Sequence, residues 1–172
     1  GGLEGKTVVF VGDLKRGRTV RSLAYLLTHY PNVRQVFVAP PPLQVESDVL
    51  AQLDDAGVTY DVRTDFEAAI PEADAIYMTR IQNEWDTEKG ESDKYETSAY
   101  WFTAAHLRLL KHTAIIMHPL PRRREIDTAV DTDPRAMYWR QVRNGMWIRT
   151  ALIATIFGRD EQITRYYVQN LK

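Results

Sequence analysis

Short apolar runs alternate with helix-like segments along most of this chain, and that alternation constrains its fold more than any other feature. The runs are Lys6 to Val11, Val33 to Ala39, Val58 to Val62, Ala73 to Met78 and Thr113 to Met117. Each is short, apolar or β-branched, and bounded by turn residues, as buried strands are. Arg18 to Tyr30 places Val20, Leu23, Ala24, Leu26 and Leu27 at helical spacing, and Pro31 stops it. Val45 to Ala56 does the same with Val49, Leu50 and Leu53, ending at Gly57. Asp65 is placed to cap a short helix through Ile70. Glu84 to Tyr95 is charge-rich without a period, and Ala99 to Leu110 reads as helix. Strands and helices joined this way predict an α/β fold. It is a doubly wound, mostly parallel five-stranded sheet with helices on both faces.

The last part follows another pattern. Asp133-Pro134 reads as the start of a helix running to Asn144-Gly145, with proline at its first position. Met146 to Phe157 then carries Trp147, Ile148, Ala151, Leu152, Ile153, Ala154 and Ile156, broken only by Arg149 and two threonines. A helix apolar on nearly all sides must be covered on most of them. Two readings stand: a central core helix, or a helix that packs on something outside this chain or on a second copy. Gly158 to Lys172 is more polar and reads as a tail with a helical turn or two. The expected division is residues 1–145 as the α/β domain and 146–172 as a C-terminal helical segment.

With 172 residues the chain can bury one proper core. Its net charge of −1 gives no field to attract nucleic acid or an anionic membrane, and no apolar run reaches the roughly 18 residues of a membrane span. There is no cysteine, so disulfides and thiolate chemistry are excluded and a cytoplasmic location is expected. A start at Gly1, without Met, leads to the expectation of a processed chain or an excised domain.

In a doubly wound sheet, ligands sit outside the carboxyl ends of the strands. Three loops fall there. The first, Gly12 to Thr19, lacks the Gly-x-Gly-x-x-Gly spacing of a dinucleotide site, and Ala39-Pro40 stand where the second run would carry an acid. It does bring Lys15, Arg16 and Arg18 to a helix N-terminus, where free amides and the helix dipole favour an anion. The second, Thr79 to Glu84, adds Arg80, and Gln82 lies on the same side if the backbone is extended. Arginine offers a planar fork suited to a carboxylate. The third is Met117-His118-Pro119-Leu120-Pro121-Arg122, where two prolines stiffen the path. Alone it reads first as a rigid turn, and as a holder of ligand only if other groups converge on it. Two arginine loops at the same edge point to a small dianion. The four histidines show no metal spacing, and no Gly-x-Ser-x-Gly elbow occurs.

These residues resemble a known family. Gly12-Asp13-Leu14-Lys15, Gly17-Arg18-Thr19-Val20 and Ser22-Leu23 resemble the signature of the aspartate-binding domain of aspartate carbamoyltransferases. Tyr77-Met78-Thr79-Arg80-Ile81-Gln82 resembles the second aspartate-binding segment, and His118-Pro119-Leu120-Pro121-Arg122 the proline loop. Asp133-Pro134-Arg135-Ala136, Asn144-Gly145-Met146 and Arg149 resemble the C-terminal pattern. The sister ornithine enzymes carry cysteine where this chain has Pro119, and they lack the Arg-x-Gln pairing.

The resemblance implies that Arg18 binds one carboxylate of L-aspartate and Arg80 the other, with Gln82 orienting the substrate. It implies that carbonyls at Pro119 and Leu120 accept from the carbamoyl amide and the aspartate amine. Lys15, Thr19, Glu84, Arg122 and Arg149 are its supporting candidates. The implied reaction is transfer of the carbamoyl group from carbamoyl phosphate to aspartate in pyrimidine synthesis, with no metal and no cofactor. The implied enzyme is a homotrimer. The family's carbamoyl-phosphate domain, with Ser-Thr-Arg-Thr-Arg and His-Pro-Thr segments, has no counterpart here. The implied partner of the apolar C-terminal helix is that domain, and the chain alone is expected to be inactive. A non-catalytic binding or regulatory module of the same descent is the alternative. Three positions depart from the family: Arg21 for histidine, Arg16 for tyrosine or histidine, and Trp85 for an arginine used in domain closure.

Overall fold

The computed structural model describes residues 2–170; Gly1, Leu171 and Lys172 lie outside them. Five strands form one sheet: β1 (Thr7–Val11), β2 (Arg34–Val38), β3 (Tyr60–Arg63), β4 (Ala75–Met78) and β5 (Ile115–Met117). Their order is β3-β2-β1-β4-β5, and every pairing is parallel. Val9 lies between Val36 and Ile76 in register, and Phe10 between Phe37 and Tyr77. The winding goes outward from β1 through β2 to β3, then returns to β4 on the other side of β1. The switch in strand order therefore falls between β1 and β4.

Parallel strands covered on both faces must be apolar on both, as β1 and β4 are; the edge strand β3 is not, and its Val62 is exposed. Val8 and Phe10 turn to one face, where α1 (Arg18–Leu27) contributes Val20, Ala24 and Leu27. On that face α2 (Ser47–Asp55) adds Val49 and Leu53. Phe10 stacks on Phe37 with centroids 5.1 Å apart and meets Tyr77 edge-on at 5.8 Å. Val9 and Val11 turn to the other face with Ile76, Met78 and Ile116, under Phe66 and Ala69 of α3 (Phe66–Ala69) and under Phe102, Ile126 and Val130. The Asp65 carboxylate caps α3 by accepting from the Ala68 amide.

Two segments depart from the sequence pattern. Ala99 to Leu110 is not one helix; short 3₁₀ turns flank an extended Phe102. Phe102 pairs with Ile126: its amide donates to the Glu125 carbonyl at 2.8 Å, and the Asp127 amide donates back to it at 2.9 Å. Full burial of Phe102 beside Phe66 and His106 overrides the local helical preference. Likewise Asp133-Pro134 forms a turn, because residues 135–137 lie along β5. The Ile116 amide donates to the Arg135 carbonyl, and the Met137 amide to the Ile116 carbonyl, both at 2.8 Å. Helix α4 (Tyr138–Ile156) begins only after that pairing and runs unbroken through Gly145.

The chain separates into two compact units, Gly1–Tyr138 and Trp139–Lys172. The second consists of the rest of α4 and of α5 (Asp160–Asn170), a longer helix than the expected turn or two. Trp147, Ile148, Leu152, Ile156 and Phe157 are exposed on it. Among the described residues no helix is long and apolar enough to cross a membrane.

Phe102 holds an irregular segment onto the sheet through side-chain burial and two backbone bonds. Phe102→Ala is expected to cost about 3–5 kcal/mol in urea unfolding. A cost below about 1 kcal/mol would show that the segment is held by other contacts.

Candidate functional site

The three loops leave the carboxyl ends of β1, β4 and β5 and converge on one cleft of about 300 Å³. Arg18, Thr19, Arg80, Gln82, Glu84, Pro119 and Leu120 all line it, so seven of the candidate residues come together there. Arg16, Thr79, Trp85, His118 and Pro121 complete the lining. Lys15 is exposed and lies outside the lining, and Arg122 is turned away into an ion pair with Asp131 and over the Tyr138 ring. Arg149 belongs to the second compact unit. No group of His, Cys, Asp or Glu among the described residues could hold a metal ion.

Loop one is pinned against loop two. A Cβ on Gly12 would lie 2.2 Å from the Thr79 carbonyl oxygen, and the φ of Gly12 is +112°. Only glycine fits both conditions. The Thr79 amide donates to the Val11 carbonyl at 2.8 Å, and its hydroxyl donates to the same oxygen at 3.0 Å. One residue on, the buried Asp13 carboxylate accepts from the Arg16 amide at 3.0 Å and the Gln82 amide at 3.1 Å. Burial pushes its carboxyl above the ordinary range, and those two amides oppose the shift. Asp13 thus fixes Gln82 relative to the start of α1.

The three arginines of loops one and two, and Arg21 within α1, differ in how far they are engaged. Arg18 opens α1, whose N-terminus has no side-chain cap and no acid in its first turn. Arg18 itself is exposed and makes no ion pair among the described residues. Cation, open amides and helix dipole are together available to an anion. Arg80 is held by the Glu84 carboxylate in a forked ion pair and by the Ile81 carbonyl at 3.0 Å. That bond, above all, brings the Glu84 carboxyl down to about 2. Arg16 does not supply the free charge its position suggested. Its guanidinium is committed to Asp86 at 2.8 Å, Glu91 at 3.0 Å and the Ser92 hydroxyl at 3.0 Å. It ties the charge-rich segment after β4 back to loop one. Arg21 is taken by Glu46 and Asp48 and is absent from the cleft lining, so the first family departure does not touch the site. Trp85 does line it, at an exposed position.

Loop three is internally braced. Leu120 has φ +52°, an uncommon left-handed conformation for a non-glycine residue. Its amide donates to His118 Nδ1 at 2.8 Å, and His118 Nε2 lies 2.7 Å from a Glu125 carboxylate oxygen. His118 is fully buried. The Glu125 carboxylate also accepts from the Arg123 amide at 3.1 and 3.2 Å. Burial works against its charge, but His118 and the amides hold its carboxyl below the usual range. Arg123 then reaches Asn83 at 3.0 Å, joining loop three to loop two. Sequence reasoning did not single out Asp13, Glu125 or Thr79. Asp13 and Thr79 both stood inside quoted motifs, which was the one signal available; nothing marked Glu125.

The fold is a parallel α/β domain with a crevice at its switch point that Arg16, Arg18 and Arg80 line. Residues 4–156 match the family model described as the Asp/Orn binding domain of aspartate/ornithine carbamoyltransferase. The aspartate carbamoyltransferase catalytic subunit of Vibrio cholerae is 47% identical over 162 residues, covering 93% of this chain and 51% of that protein. Two solved structures are similar. The catalytic subunit of M. jannaschii aspartate transcarbamoylase has TM-score 0.81 and 34% identity, covering 92% of this chain and 51% of that one. Aspartate transcarbamoylase of Trypanosoma cruzi, in complex with N-(phosphonacetyl)-L-aspartic acid, has TM-score 0.78 and 38% identity, covering 88% and 49%. This chain belongs to the aspartate/ornithine carbamoyltransferase family. It spans about half the length of the relatives it matches.

The Glu84 carboxyl is expected to titrate near 2 by carbon-13 NMR, and to move up towards its ordinary 4.5 in Arg80→Ala. Because the folded value is depressed, the pair's contribution is present above about pH 4.5 and is lost as pH falls towards 2. An unchanged titration in the variant would mean that Arg80 does not hold Glu84.

Proposed function

We propose that this chain is the aspartate-binding half of an aspartate carbamoyltransferase. The observation that carries the reading is the convergence of Arg18, Arg80 and Gln82 with Pro119 and Leu120 on one cleft. Two guanidinium groups suit the two carboxylates of L-aspartate, and the open N-terminus of α1 reinforces Arg18. A substrate with a cationic side chain, such as ornithine, would meet repulsion from the same two groups. Gln82, fixed through its amide to Asp13, orients the bound substrate.

The Pro119 and Leu120 carbonyls accept hydrogen bonds from the aspartate amine and from the carbamoyl NH₂ of carbamoyl phosphate. The amine lone pair attacks the carbamoyl carbon, a C–N bond forms and the bond to the phosphate oxygen breaks. Carbamoyl-aspartate and phosphate are the products, and the proton lost by the amine leaves with phosphate. Acceleration comes from orientation of the reacting groups and from fixed dipoles. The phosphate site belongs to a second domain, outside this sequence, which the exposed apolar residues of α4 are suited to contact. The complete enzyme is read as a cytoplasmic homotrimer, and the chain alone as inactive.

The test joins this chain to the amino-terminal half of the Vibrio cholerae relative and assays carbamoyl-aspartate. Activity is expected from the pair and from neither half. Arg18→Ala and Arg80→Ala are each expected to lower kcat/KM for aspartate by about 100-fold, since each removes a charge-assisted hydrogen bond worth roughly 1.5–3 kcal/mol. No product from two folded halves, or changes within about threefold in both variants, would overturn the assignment.

A further inference from the structure

We propose that His118 is a positioning residue that aims the Pro119 carbonyl into the cleft; the role in catalysis rests on the function proposed above. The Leu120 amide donates to His118 Nδ1 at 2.8 Å, so that nitrogen is the unprotonated acceptor of the ring. The proton then sits on Nε2, which donates to the Glu125 carboxylate at 2.7 Å. Both ring nitrogens are thus assigned, and the fully buried ring is held from both ends.

The consequence lies in the geometry of one peptide unit. The Leu120 N–H and the Pro119 C=O belong to the same planar group, and in the trans form they point in opposite directions. An N–H held against the buried ring sends the carbonyl the other way. Pro119 and Leu120 line the cleft and the His118 ring behind them is fully buried, so the direction away from the ring leads towards a ligand. The left-handed backbone at Leu120 is costly for a side-chain-bearing residue and needs support, which the same hydrogen bond supplies. Glu125 closes the brace by accepting from Nε2 and from the Arg123 amide at the far end of the loop. A carboxylate there fixes the tautomer, as carboxylates behind metal-bound histidines do.

A role confined to stability and a role in aiming the carbonyl make different demands on substitutions. His118→Asn keeps an acceptor close to the position of Nδ1 but cannot reach Glu125. His118→Ala removes the acceptor. In the joined halves, His118→Ala is expected to lower kcat by about 100-fold, the scale of a misplacement near 1 Å. KM for aspartate should stay within about threefold, because the carboxylate contacts with Arg18 and Arg80 are intact. His118→Asn should recover at least tenfold of the lost kcat. Should His118→Ala fail to fold, the Asn variant compared with His118→Gln, whose amide sits too far out to accept from Leu120, carries the same contrast. The proposal is overturned if folded His118→Ala keeps kcat within threefold, or if Asn recovers no more than Gln or Ala. A second readout needs no activity: a through-hydrogen-bond coupling between the Leu120 amide nitrogen and His118 Nδ1 in this chain. Its absence overturns the aiming role. Its presence, with joined halves that make no product, would sink the functional reading and leave the aimed carbonyl standing.

Discussion

The contact on which the site depends is the approach of Gly12 to Thr79, where β1 and β4 end side by side. A single Cβ there would overlap the Thr79 carbonyl. Parallel strands that separate beyond this point leave a crevice, and the switch in strand order supplies the separation. What distinguishes this chain is that the crevice is pinned at its root. Thr79 closes onto Val11 through amide and hydroxyl, and Asp13 spans to Gln82 within the next residues. Loops one and two therefore move as one body unless those bonds break, which fixes how far Arg18 stands from Gln82.

Charge is distributed with the same economy. Arg16, Arg21, Arg80 and Arg122 are all engaged by carboxylates, whereas Arg18 at the uncapped end of α1 has none among the described residues. The dianion proposed as ligand would meet an open cation at one end and an occupied one at the other. Arg80 must share its fork with Glu84 or exchange partners, and Glu84 stays ionised to about pH 2. Glu84 is the exposed member of the pair, so a carboxylate that displaces it leaves it in water. The arrangement keeps the Arg80 guanidinium located before a ligand arrives, which lowers the entropy lost on binding.

The sheet was legible because its inner strands are buried on both faces and so read as apolar runs, while β3 was marked by the turn residues around it; strand ends shifted by a residue or two where pairing stops. Phe102 and residues 135–137 were not legible, because long-range backbone pairing decides their conformation and leaves no periodic trace. The arginines and the proline loop were legible by residue type and by their place after strands. Their engagement was not. Arg16 reads as a free cation at a helix start, yet its partners lie some seventy positions on in a segment without pattern. Glu125 looks like any loop acid until the fold buries it against His118.

The two kinds of group at the cleft have different needs, and this accounts for how they are built. A guanidinium works over several geometries, because its field falls off slowly and its fork has several donors. Long side chains on loops are adequate for it. A carbonyl that faces a reacting amine, the role proposed for loop three, works in one direction only, and a side chain cannot supply it with that certainty. The chain uses backbone instead, flanked by prolines and braced by a buried histidine and a buried glutamate. On the function proposed above, the most braced part of the cleft is the part nearest the bond to be made, and the adaptable part is where the substrate is only held.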